Sequence, residues 1–280
     1  MQLTIQQLLD AMWQDYLALT PDAKPIHQLF ADLNHGQVIN DHIALRTYNL
    51  EKVALNNLAL PFVETGYQPV DDYQFPTKKL YARYFQHPDK TLPKVFISEL
   101  KVEELPDNCQ DIIYDLVTQV PEATVAHQNF CYSGRPWSLT SDQYETLAVE
   151  SEYASWVAAH GFRPNHFTVS INHLSSHPDI QSVNQLLLDK GYDMNTSGGL
   201  IKGSPDVLLE QSSTLAKAVD VTFDDTTMKV PGCYYEFARR YPMANGQLYQ
   251  GFVAASADKI FESTDVVPQQ DVPQGNEDRV

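Results

Sequence analysis

Two short runs constrain the fold of this chain more than any other feature. Asp41-His42 opens the run DHIALRTY, and Asn165-His166 opens NHFTVSIN. The histidines stand 124 residues apart, 166 less 42. Alternation at a period of two marks a strand with two distinct faces. It puts His42, Ala44, Arg46 and Tyr48 on one face and Ile43, Leu45 and Thr47 on the other. After each run comes the same programme, a helix and then several strands. In the first half the pattern predicts a helix over 50–58 and strands over 67–73, 80–87 and 94–102. In the second it predicts a helix over 178–190 and strands over 207–211, 218–223 and 234–240. Identity between the halves is low, so this is a repeat of structure. The fold class is therefore α+β, with duplicated βαβββ modules (about 38–130 and 160–245) paired into one curved, cup-like mixed sheet. The interior of such a cup can hold a ligand.

Helices surround the modules. Ile5, Leu8, Leu9, Met12, Trp13, Tyr16 and Leu17 recur at helical spacing over 4–19, and further helices are expected over 26–33, 106–120 and 141–160. His160 ends the last of these, where the helix dipole favours a cationic imidazolium. The glycine-rich stretch 198–204 lacks the Lys-Ser/Thr ending of a phosphate loop, and is expected to be a flexible connection or a lid over the cup. One domain over 1–266 results. Residues 267–280, without periodicity, read as a mobile acidic tail.

Composition narrows the function. The chain has 280 residues, and 36 acidic against 19 basic residues give a formal charge of −17. Nucleic-acid binding and adhesion to anionic membranes both rest on Lys and Arg, so neither is expected. No apolar run is long enough to span a bilayer, and the first twenty residues lack a signal-peptide pattern. Cys109, Cys131 and Cys233 are widely spaced and odd in number. They suggest neither a disulfide framework nor a zinc ribbon, and a reducing cytoplasm is the expected compartment.

Equivalent histidines on neighbouring strands can converge on one metal ion. A third ligand would be an inward carboxylate, and two candidates sit in apolar strands: Glu99 in KVFISELKV and Glu236 in CYYEFARRY. Burying either carboxylate is costly unless it is paired or metal-bound. Two histidines and a carboxylate form the facial triad of non-haem Fe(II) oxygenases. On zinc the same set would activate water as a hydrolase or lyase. Arg46 lies on the His42 face, roughly 13 Å along the strand. An inward guanidinium needs an anion, either a substrate carboxylate or a fixed one within the protein.

DHIALRTY (41–48), RPNHFTVSIN (163–172) and YYEFARR (234–240) together resemble the DUF1338 family. Its characterised members are iron-dependent 2-oxoadipate dioxygenase/decarboxylases of lysine catabolism, on a fold similar to the vicinal oxygen chelate architecture. The resemblance spans roughly 1–265. It implies His42, His166 and Glu236 as metal ligands, and so chooses Glu236 over Glu99. It implies Arg46 as the catalytic residue and Arg46, His42 and His166 as substrate-binding residues. Fe(II) is the implied cofactor, with Zn, Ni or Mn as alternative occupants. A 2-oxo acid and O2 are the implied partners, most simply 2-oxoadipate yielding 2-hydroxyglutarate and CO2. Longer members draw part of their pocket from a region this chain lacks. A zinc hydrolase or lyase, or a non-catalytic binding protein, are the competing expectations. Because the substrate is a dianion, the acidic surface requires a local positive focus. The metal and Arg46 would supply it, with Arg163, Arg239 or Arg240 as helpers.

Overall fold

The computed structural model describes residues 3–264, so the expected tail over 267–280 lies outside the described residues. Helix α1 (Ile5–Leu17) starts at a capping box made by Thr4 and Gln7, and buries Leu8, Leu9, Met12 and Tyr16. Helix α2 (Ala23–Leu33) follows. The first module is then β1 (Asn40–Tyr48), α3 (Leu55–Val63), β2 (Gln68–Phe75), β3 (Leu80–Gln86) and β4 (Lys94–Leu100). Four helices lead to the second: α4 (Asp107–Thr118), the short α5 (Glu122–Val125), α6 (Ser141–Glu150) and α7 (Glu152–His160). The second module is β5 (Pro164–Ser170), α8 (Ile180–Asp189), β6 (Lys202–Ser204), β7 (Leu209–Ser213), a hairpin of β8 (Ala218–Thr222) and β9 (Thr227–Pro231), and β10 (Tyr234–Arg240). Helix α9 (Ala254–Phe261) closes the described chain. No helix among the described residues is long and apolar enough to cross a membrane.

The sheet order is β2-β3-β4-β1-β5-β10-β7-β6. Its left half, read inward, repeats as its right half read inward. Strands β1 and β4 are parallel, β5 and β10 are parallel, and the antiparallel β1–β5 pair joins the modules. The expected α+β class and duplicated βαβββ architecture are therefore found. Both central strands are covered on both faces: every residue of β5 is buried, and so is all of β1 after Asn40. Trp13 and Tyr16 of α1 pack on Phe167 from one side.

Several local features differ from expectation. The second sheet strand of the second module in chain order is β6, three residues inside the glycine-rich stretch, too short to show periodicity. Residues 218–222 form strand β8, but pair with β9 as a hairpin outside the main sheet, with largely exposed side chains. The helix over 141–160 is broken at Ser151, which ends α6 and caps α7 by accepting a bond from the Ala154 N–H. Such a residue competes with the helical backbone, and here it redirects the chain. His160 is no cation: it is buried, its Nε2 lies 2.7 Å from the Pro231 carbonyl, and burial lowers its pKa to about 3.

The β1–β5 pair carries two register shifts, one on each strand. Asn40 faces Val169 and His42 faces Thr168, which leaves Asp41 as the extra residue of β1. Ala44 faces His166 and Leu45 faces Pro164, which leaves Asn165 as the extra residue of β5. A bulge re-aims the side chain it inserts. Each bulge sits immediately before one of the repeated histidines.

Candidate metal centre

His42, His166 and Glu236 come together on the neighbouring strands β1, β5 and β10, with one ligand atom from each within 4.8 Å of the others. The register explains the convergence. His42 and Glu236 both lie opposite Thr168, one from each side, and His166 is two residues along from Thr168 on the same face. His42 Nε2 lies 3.5 Å from Glu236 Oε1, and His166 Nε2 lies 3.1 Å from Glu236 Oε2. All three side chains are buried.

The bulge residues orient both rings. Asp41 Oδ1 lies 2.8 Å from His42 Nδ1, and Asn165 Oδ1 lies 3.0 Å from His166 Nδ1. Each Nδ1–H therefore has its acceptor, which leaves each Nε2 lone pair pointing into the cup. Asp41 is itself held in a fork by Arg240, at 2.6 Å from Nε and 2.9 Å from Nη2. Burial alone would raise the Asp41 carboxyl, but Arg240 and Lys94 outweigh it and hold it well below the usual range. His42 is thus backed by a carboxylate and His166 by a neutral amide. Asp41→Asn keeps the shape and removes that charge. We expect the metal dissociation constant to rise about 10–100-fold, as for other groups behind a ligating histidine, measured by competition with a chromophoric chelator.

Electrostatically the site is short of positive charge. Burial lowers the pKa of both histidines, so both rings are neutral donors. Burial pushes Glu236 up to about 8, against the opposing bond from Gln211. Gln211 Nε2 donates to Oε1 at 2.7 Å, while Oε2 is buried without a hydrogen-bond partner. Two neutral nitrogen donors facing an orphaned carboxylate oxygen fit a divalent cation, and the set has the composition of the facial triad.

Arg46 lies on the same face of β1 but already has a carboxylate. Its Nη1 donates to Glu152 at 2.8 Å and its Nη2 to the Thr264 hydroxyl at 3.1 Å, while its Nε has no partner. The break at Ser151 is what places Glu152 there, in the first turn of α7. The rings of Tyr153, Trp156 and Phe261 enclose the guanidinium. Glu99 points to the other side of β4, where it accepts from the Leu55 N–H. Of the expected helpers, Arg240 holds Asp41, Arg163 lies 3.6 Å from Asp15, and Arg239 covers the Tyr241 ring.

Sequence reasoning passed over Asp41, Asn165 and Gln211 as functional residues. For Gln211 the sequence offers no signal: four of the five residues of LEQSS are polar, and only the fold shows the strand to be buried throughout. Helix α9 was also missed. It roofs the cup, and with Phe96 of the sheet, the residues Phe252, Ala257, Ile260 and Phe261 leave about 20 Å³ of free volume beside the triad.

A family model described as 2-oxoadipate dioxygenase/decarboxylase matches residues 4–125 and 116–247. A curated protein of Arabidopsis thaliana named 2-oxoadipate dioxygenase/decarboxylase, chloroplastic, is 35% identical over 92% of this chain and 77% of its own length. The crystal structure of a putative hydrolase from Shewanella frigidimarina is 56% identical, with a TM-score of 0.85 over 89% of this chain and 98% of that one. The hydroxyglutarate synthase from Oryza sativa, solved in complex with 2-oxoadipate, is 34% identical, with a TM-score of 0.87 over 92% of this chain and 90% of that one.

Proposed function

This chain belongs to the 2-oxoadipate dioxygenase/decarboxylase family, and from that premise we propose that it converts 2-oxoadipate and O2 to 2-hydroxyglutarate and CO2 with Fe(II) held by His42, His166 and Glu236. The observation that carries the proposal is the triad itself, two oriented imidazoles facing a buried carboxylate oxygen that has no hydrogen-bond partner. When bound, Fe(II) supplies the redox chemistry that lets O2 react with a 2-oxo acid.

The protein's own residues do the rest. Asp41 and Asn165 keep both Nε2 atoms aimed inward. Gln211 ties one oxygen of Glu236 and leaves the other for the metal. Arg46 presents Nε and Nη2 to the far carboxylate of the substrate, while Glu152 fixes the guanidinium from its other end. Phe96, Phe252 and Phe261 keep bulk water from the reacting end. The −17 charge belongs to the outer surface, and the cationic focus within is local. A place in lysine breakdown, supported by the family resemblance, is part of the same proposal, and so is a cytoplasmic setting, which rests on the odd number and wide spacing of the cysteines.

The test is an oxygen electrode with metal-free protein reloaded with Fe(II) or Zn(II). With Fe(II), 2-oxoadipate should drive O2 uptake and form 2-hydroxyglutarate and CO2 in equal amounts. Hydrolytic or lyase turnover with Zn(II) and no O2 uptake with Fe(II) would reject the oxygenase in favour of the zinc enzyme.

A further inference from the structure

The cup that has to receive a six-carbon dianion is packed. The free volume of about 20 Å³ beside the triad is room for about one water. The residues that fill it, apart from Phe96 on the sheet, belong to one segment that follows β10. Phe252, Ala257, Ile260 and Phe261 line the cavity, and Phe252 packs edge-on to the His42 ring. This segment is tied at both ends by hydrogen bonds. At its start, Arg240 Nη1 donates to the Gly251 carbonyl at 2.7 Å, and the Phe252 N–H donates to the Tyr73 hydroxyl at 3.0 Å. At its end, Ser263 Oγ lies 2.7 Å from Ser213 Oγ and accepts from Asn195 Nδ2 at 2.8 Å. The last tie is Thr264, whose hydroxyl accepts from Arg46 Nη2.

That last tie sits on an edge suited to something else. Nε and Nη2 form the side-on edge of a guanidinium, which takes a carboxylate through two parallel bonds. On Arg46 this edge has a hydroxyl at Nη2 and nothing at Nε, although both atoms are buried. Glu152 holds Nη1, off that edge. A carboxylate arriving on the edge would satisfy the orphaned Nε and replace Thr264 in one step. Phe261, three residues before Thr264, lines the cavity beside the triad and also covers Arg46. Whatever removes Thr264 from Arg46 therefore pulls on the packing over the metal ligands.

We propose that residues 252–264 are a displaceable plug, and that the distal carboxylate of a 2-oxo dicarboxylic acid expels it by taking the place of Thr264 on Arg46. This rests on the reading that a 2-oxo dicarboxylate is the substrate. It makes Thr264 a specificity-determining residue: an acid without the second carboxylate leaves the latch closed. Selection for the dianion then operates on opening as well as on contact.

The test crosslinks the plug. Ser213→Cys with Ser263→Cys places two thiols where two hydroxyls now touch. Binding of 2-oxoadipate is measured by calorimetry on the Ni(II)-loaded protein, so that turnover does not intrude. The reduced variant should bind; the disulfide form should bind at least about 100-fold more weakly, and reductant should restore it. Equal binding by both forms, with the crosslink verified by mass, overturns the plug. No binding by wild type, with metal present, overturns the substrate reading and the plug with it. Hydrogen exchange on the wild type gives a second measurement, independent of whether the variant folds. Amides over 254–264 should exchange faster with 2-oxoadipate than with 2-oxohexanoate, which has the same chain length but no distal carboxylate. Identical exchange with both acids rejects Thr264 as the latch.

Discussion

Glu236→Gln should leave a folded protein that retains no iron and turns over 2-oxoadipate more than about 100-fold more slowly, a loss beyond that of residues which only orient a ligand. The substitution is isosteric, and Gln211 can still bond the side chain at this position. What disappears is the one negative charge that the three candidate ligands can carry, because the other two are neutral imidazoles. A divalent cation held by three neutral groups in a buried pocket has no counter-charge among its ligands, and the carboxylate behind His42 is already paired with Arg240, so the ion's desolvation is poorly compensated. Elemental analysis after dialysis against a weak chelator reads metal retention directly. The melting temperature of the metal-free protein controls for folding and should stay near that of wild type. Retained iron with normal turnover would remove Glu236 from the site.

The second large effect is on substrate choice. Arg46→Ala should lower kcat/KM for 2-oxoadipate by about 30-fold to several thousand-fold, the range for truncating one partner of a buried charged pair. For 2-oxohexanoate the loss should be only a few-fold. Arg46→Lys keeps the charge but loses the side-on edge, and a lysine cannot reproduce two parallel bonds to one carboxylate. It should therefore recover only a small part of the loss. Glu152 is partly exposed, so it can turn to water when Arg46 is removed, which limits damage to the fold. Steady-state comparison of the two acids is the measurement. Equal losses on both would make Arg46 a structural partner of Glu152 and nothing more.

The parts of the site that could be read from the sequence are those that follow a simple period. His42 and His166 stood out because each opens an alternating strand at the same place in a repeat. The mixed sheet was legible for the same reason. Glu99 and Glu236 could not be separated by pattern, because only the register decides which face of which neighbour each one meets. Asp41 and Asn165 were illegible for a sharper reason. Strict alternation sends a residue to the face opposite its neighbour, and the two bulges break that rule where it matters. Arg46 was placed on the correct face, but its bond to Glu152 depends on a helix break at Ser151 inside what reads as one continuous helix. Helix α9 was missed because a short apolar run near the end of a chain does not disclose what it covers.

The mirrored order of the two half-sheets has one more consequence. The operation that carries His42 onto His166 carries β4 onto β10. In the second half, Thr168 of β5 faces Glu236; its counterpart in the first half is Ala44 of β1, which faces Phe96. Phe96 thus stands at the place symmetric to the glutamate, and it lines the same cavity. Duplication offers four inward positions, of which three carry groups able to bind a metal and one carries a hydrocarbon wall. Had both halves kept a donor there, four ligands would have encircled the ion as in a closed structural site. On the proposed reading, the departure from symmetry at this single strand position would keep the ligand set at three, so the chemistry of the centre would depend as much on a side chain that cannot bind metal as on the three that can.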